Sequence, residues 1–214
     1  MAFSGQIIHN PISGERIQFL RTAQDTDGEL LEFELQLTPD GKVPGAHVHP
    51  EQEERFHVLE GTMAFKLGFK KLVAGPGETV IVPAGARHKF ANGGDCTARV
   101  RVQVEPALDM EQLLETTAEL AHEGHTLRSG MPKPLHLALF VQRFQREVRA
   151  PFPPAWLVGA LMAPLRAVAR ARAPRPLYPR ACVGVGHCCW PRRRRRSPRR
   201  RRQRGRRRCS MGAR

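Results

Sequence analysis

Along most of the first hundred positions apolar and polar residues alternate with a period of two, the mark of half-buried strands. The clearest run sets Leu31, Phe33, Leu35 and Leu37 against Glu32, Glu34 and Gln36. Before it, Gly5 to His9 and Glu15 to Thr22 read as two strands joined by a turn at Pro11, Ser13 and Gly14, and Asp40 with Gly41 closes the third. Met63, Phe65 and Leu67 then alternate with Ala64 and Lys66, and Gly68 turns the chain into Lys71 to Val73. Gly75, Pro76 and Gly77 turn it again ahead of Val80 to Val82, and a Gly93, Gly94, Asp95 turn leads to Ala98, Val100, Val102 and Val104, alternating with Arg99, Arg101 and Gln103. Many short strands, regular turns and no helical pattern between them predict a mainly β, antiparallel sandwich or barrel rather than a parallel α/β sheet.

After Pro106 the period changes. Asp109 suits a helix N-cap with Gln112 at the third helical position, Leu113, Leu114 and Ala121 form an apolar stripe, and Gly124 can end the helix. Leu137, Val141, Phe144 and Val148 fall at helical spacing, so Pro134 to Arg149 reads as a second amphipathic helix. A third runs from Pro154 toward Ala171, its apolar face expected to pack against the barrel or a second subunit rather than to lie on a membrane surface. From about Ala173 arginine and proline dominate without periodicity, as in a disordered segment. The organisation expected is therefore a β-barrel over 1–107, a helical extension over 108–172 and a disordered basic tail over 173–214.

Charge alters this picture only at the tail. The formal net charge is +15, but fourteen arginines and no acid lie between Pro191 and Arg214, leaving 21 basic against 20 acidic side chains elsewhere. Such a tail can bind phosphate backbones, remain solvated, or be a non-native end, since GC-rich coding DNA read out of frame yields mostly Arg, Pro, Ala and Gly. The last reading is preferred because no basic patch with interleaved aromatics accompanies it, so no specific nucleic-acid partner is expected. Of the five cysteines only Cys96 lies in the barrel stretch, so no disulfide framework is implied there. The N-terminus lacks a basic segment followed by an apolar one, and no apolar run reaches the roughly 20 residues that span a bilayer. A cytoplasmic protein without a membrane span is expected.

The candidate chemistry lies between Gly41 and Asn92. His47 and His49, two apart on an expected strand, point to the same side and can both aim into the barrel. Glu53 and Glu54 compete for the accompanying carboxylate position, and strand parity favours Glu54: with it inward, Phe56 and Val58 also face in, while Arg55 and His57 face out. Pro83 and Gly85 turn the chain so that His88 returns toward the same cavity.

The two halves, Gly41, His47, His49, Glu54, Gly61 and then Gly77, Pro83, Gly85, His88, Asn92, resemble the paired motifs of the cupin superfamily. The fifteen residues between Gly61 and Gly77 resemble the short spacing of small bacterial single-domain cupins of the type-2 kind. The sole departure is a gap of four residues, not three, before the glutamate. The resemblance implies a jelly-roll barrel of the double-stranded β-helix kind, with His47, His49, Glu54 and His88 as ligands of one metal. Three imidazoles and a carboxylate suit Fe, Mn, Co, Ni, Cu or Zn as the divalent ion.

What cupins do is broad, and residues narrow it. The only tyrosine, Tyr178, lies outside the barrel, against an epimerase that uses tyrosine as its acid. The inward phase, Phe33, Leu35, Phe56, Val58, Met63, Phe65 and Phe90, is apolar, against a phosphosugar isomerase. The expected activity is dioxygenase-like oxidation of a small, apolar, metal-chelating compound, Glu54 doubling as ligand and base as in related enzymes. The alternative is a non-catalytic small-molecule or metal-binding module. Exposed alternation on several strands allows edge pairing into a homodimer.

Overall fold

The alternating stretches fold as antiparallel ladders in the computed structural model, which describes residues 2–152 and 155–172. The expected basic tail over 173–214 lies outside the described residues. The strands are β1 (Ile7–Asn10), β2 (Glu15–Arg21), β3 (Leu31–Leu37), β4 (Glu53–Glu60), β5 (Met63–Leu67), β6 (Lys70–Ala74), β7 (Thr79–Val82), β8 (His88–Asn92) and β9 (Ala98–Glu105). They form a six-stranded sheet in the order β1-β2-β3-β9-β4-β7 and a three-stranded sheet in the order β6-β5-β8.

Register turns the alternation into a core. Phe33 sits opposite Val102, which sits opposite Phe56; Leu35, Val100 and Val58 form the next inward row. All six side chains are buried. Burying each large one contributes about 1.5–3 kcal/mol. Phe56 also reaches the small sheet, with ring centroids 5.2 Å from Phe65 and 5.1 Å from Phe90, so an aromatic cluster ties the two sheets together. Glu54 takes the next inward position of β4, beside Val104, as parity predicts.

Two motif residues have local structural reasons. Gly61, in the turn between β4 and β5, has φ +75°, and a Cβ there would stand 2.8 Å from the Ala98 Cα. Asn92 locks the turn before β9, its Nδ2 donating to the carbonyls of Leu37 and Cys96, each at 2.8 Å.

Three helices follow among the described residues: α1 (Met110–His122), α2 (Pro134–Arg143) and α3 (Ala155–Arg172). Asp109 precedes α1 as expected but makes no side-chain cap; its carboxylate pairs with Arg143 at 2.6 Å instead. The Asp109 N–H donates to Glu147 Oε1 at 3.3 Å, so the cap comes from 38 residues away. The second helix stops at Arg143, short of the predicted Arg149. Its backbone continues into a bridge in which Val48 and Arg149 exchange two 3.0 Å hydrogen bonds. Pairing with the barrel overrides the helical period there, although Phe144 is still buried as that period requires.

Candidate metal centre

His47, His49, Glu54 and His88 come together, their ligating atoms all within 4.8 Å of one another. The expected strand under the first two histidines is not formed. His47 is held by a single bridge, exchanging 2.9 Å hydrogen bonds with His88, and the His49 carbonyl accepts the N–H of Gly85 at 2.7 Å. Gly85 makes that contact from a backbone with φ +76°, a conformation that favours glycine. Side chains two apart still converge: the His47 and His49 ring centroids lie 4.9 Å apart, and His47 is 4.3 Å from His88.

Each imidazole is oriented from behind. The Nδ1 of His47 meets the Gly45 carbonyl at 3.0 Å, that of His88 meets the Ala86 carbonyl at 3.1 Å, and that of His49 meets the Glu147 carbonyl. A carbonyl only accepts, so in each ring Nδ1 carries the proton and Nε2 of the neutral ring keeps its lone pair toward the centre. Carbonyl-anchored imidazoles of this kind are the usual outer support of metal ligands.

Glu54 Oε2 lies 3.3 Å from His49 Nε2 and 3.0 Å from His88 Nε2. These distances suit charge pairing, yet all three atoms are sequestered and lack a properly aligned hydrogen bond. Buried polar atoms are normally satisfied, and lone pairs facing one another call for a proton or a metal ion between them. The donor set therefore fits a metal ion.

Electrostatics point the same way. Burial raises Glu54, but His49 and His88 outweigh it and hold the carboxyl well below the usual range. Burial lowers His49, yet Glu54 and the Glu147 carbonyl together leave it above its ordinary value. His47, farther from the carboxylate, is lowered by burial and by the His88 and His49 rings to about 4.

Glu53 faces outward from β4 and pairs with Arg55 at 2.8 Å, which agrees with the parity choice of Glu54. His57 also faces away from the core and hydrogen-bonds the Thr79 hydroxyl at 3.0 Å. Three supporting residues escape sequence reasoning. Glu147 is buried behind His49. Gln52, fully buried, donates to the carbonyls of Pro106 and Ala107 at 2.9 and 3.0 Å, fastening the loop before β4 to the end of β9. Arg149 fixes the backbone of Val48. Their partners lie too far along the chain for any local period to register them.

His47, His49 and Glu54 line a cavity of about 650 Å³. Phe33, Leu35, Phe56 and Phe90 line it as predicted, but Val58, Met63 and Phe65 do not. Those three are fully packed between the sheets, because parity sets the direction of a side chain and not its depth. The helices close the rest of the wall with Leu113, Leu137, Phe140, Val141 and Met162. The third helix lies chiefly against α2, and no helix among the described residues is long and apolar enough to cross a membrane.

Residues 33–104 match the family model described as the cupin domain. The tetracenomycin polyketide synthase protein TcmJ of Streptomyces glaucescens is similar, with 25% identity over 100 residues, 47% of this chain and 60% of that protein. The match thus spans less than two thirds of that relative's length. Among solved structures, the polyketide cyclase RemF of Streptomyces resistomycificus is 30% identical, covering 43% of this chain and 65% of that one with a TM-score of 0.39. A predicted oxalate decarboxylase from Thermotoga maritima is 20% identical, covering 47% and 90% with a TM-score of 0.43.

Proposed function

Since the chain belongs to the cupin superfamily, we propose that it is a metal-dependent oxidoreductase of the dioxygenase-like kind, in which His47, His49, Glu54 and His88 hold one divalent transition ion. The observation that carries the reading is the convergence of these ligating atoms in an apolar cavity, three of them buried without a hydrogen-bond partner. Such an ion supplies Lewis-acid polarisation of a chelating oxygen and, for a redox-active metal, a route for electrons to dioxygen.

The chain's own residues do the rest. The carbonyls of Gly45, Ala86 and Glu147 keep the imidazoles in the tautomer that presents Nε2. Glu54 stays ionised through the neutral range, so its carboxylate is ready to take the proton of a chelating hydroxyl. Phe33, Phe56 and Phe90 give an apolar ring system a dry wall beside the centre. The name of the Streptomyces glaucescens relative supports a polyketide-type compound as ligand.

Elemental analysis of the purified full chain tests the reading. About one transition ion per chain is expected, and the His47→Ala, His49→Ala double variant should retain less than a tenth of it. Equal metal in the two proteins would sink the assignment. Oxygen uptake by the iron-loaded chain with aromatic ortho-dihydroxy compounds then separates turnover from a non-catalytic binding module, which would take up none.

A further inference from the structure

The cavity wall supplied by the helical extension carries charge that no alternation in the sequence predicts. Arg149 and Arg166 both line it. Arg149 is held one strand spacing from the histidine segment by its two 3.0 Å backbone bonds to Val48. Its guanidinium donates from Nε to the Gln145 carbonyl, which leaves its terminal nitrogens for another partner. Arg166 lies one turn before Arg170, whose Nη2 reaches Gln142 of α2 at 3.0 Å. Gln142 itself lines the cavity, so both elements bring polar ends to the same wall.

Neither arginine makes an ion pair among the described residues, Glu51 acting on Arg149 only from beyond ion-pair distance. Arg55, Arg99, Arg101, Arg143 and Arg146 each do. Nor do the cavity's own carboxyls answer them. Glu54 is engaged by His49 and His88, and Glu15 accepts the Ser13 hydroxyl while burial pushes its carboxyl up, which disfavours its charge. Arg149 is exposed and Arg166 half-buried at the rim of a mainly apolar wall, and two guanidinium groups with no ion pair of their own among the described residues are placed to take an anion that the ligand brings.

We infer that Arg149 and Arg166 form an anion clamp which selects, for the metal centre, aromatic compounds bearing an oxyanion substituent such as a carboxylate or sulfonate. Guanidinium groups suit this task because their planar fork can bond two oxygens of one anion at once. The inference rests on the metal-centre reading above and adds the ligand class.

A matched pair of dyes tests it: 1,2-dihydroxyanthraquinone and its 3-sulfonate share the ring system and the chelating oxygen pair and differ by one anionic group. Both are titrated into the zinc-loaded full chain, following the colour change on chelation, which reports dye at the metal and not dye held elsewhere by arginine. The readout is the ratio of the two dissociation constants. The unmodified chain should bind the sulfonate about tenfold more tightly, a preference that shrinks with added salt. Arg149→Gln with Arg166→Gln should bring the ratio to within about twofold of one, and each single variant should lie between, so a poorly folded double variant still leaves a reading. A ratio near one in the unmodified chain, or a preference that survives both substitutions, overturns the clamp while leaving the metal centre standing. If neither dye changes colour, or the change persists in the His47→Ala, His49→Ala variant, the metal-centre reading fails and the clamp falls with it.

Discussion

Three imidazoles each give one ring nitrogen to a backbone carbonyl, and this decides how protons compete at the site. His47, lowered to about 4, is already a bare ligand at neutral pH. Burial lowers His49, but Glu54 and the Glu147 carbonyl outweigh it, so this ring holds its second proton more firmly than a free imidazole. Metal must displace that proton. Zinc uptake near pH 6.5 is therefore expected to release protons, and the apparent affinity should fall as the pH is lowered further. Calorimetry in buffers of different ionisation enthalpy measures the release; uptake without protons would show that His49 is not displaced from its pairing with Glu54. The same sign governs the metal-free fold: the His49 contribution is fully present below pH 6.5 and is lost as pH rises through its folded value, whereas His47 weakens the fold as pH falls from 6.5 toward 4.

At the scale of elements, what local period controls could be read in advance. Leu31–Leu37 alternates without a break, and β9 matches its phase from end to end, while β2 matches it from Leu37 to Phe33, where a bulge begins. Parity likewise turns Glu54 inward and Glu53 outward, since the next two inward positions along the strand, Phe56 and Val58, are apolar. The end of α2 was not legible, because the bond that stops it joins Arg149 to Val48, about a hundred residues away. Among the motif glycines, Gly61 joins a left-handed backbone to a close approach of other backbone atoms. A Gly61→Ala change meets the Ala98 backbone at 2.8 Å from a left-handed conformation and should cost about 1–3 kcal/mol of unfolding free energy. Urea denaturation of the metal-free chain measures this; a loss below about 0.5 kcal/mol would mean that the turn relaxes without resistance.

For the whole molecule, the barrel and the segment after α2 act on one another through few contacts. Arg149 and Val48 are bridged, Glu147 supports His49 with its carbonyl and α1 with its carboxylate, and Arg146 clasps Glu51 through contacts as short as 2.6 Å. Metal uptake should therefore slow amide exchange at Val48 and Arg149 as well as in the ligand segment, with little change along β1 and β2, which carry none of the ligands. Hydrogen exchange read by mass spectrometry locates the effect, and protection confined to the barrel strands would show that the extension does not sense the centre. None of this coupling was visible in composition or charge. The cavity's arginines were hidden for the same reason: a helical pattern places a side chain on its own element but does not say what that element will face.

The contact between His49 and the Glu147 carbonyl also bears on how such a protein can change over generations. The atoms that could hold a metal belong to the barrel, but the angle at which one of them is presented belongs to an appendage beyond Pro106. A lineage could thus alter that appendage, by a shorter helix or a different return path, and shift the reactivity of the centre while every coordinating residue stays the same. Two chains with identical ligands need not share a chemistry, and the place to look for the difference is outside the motif that identifies them.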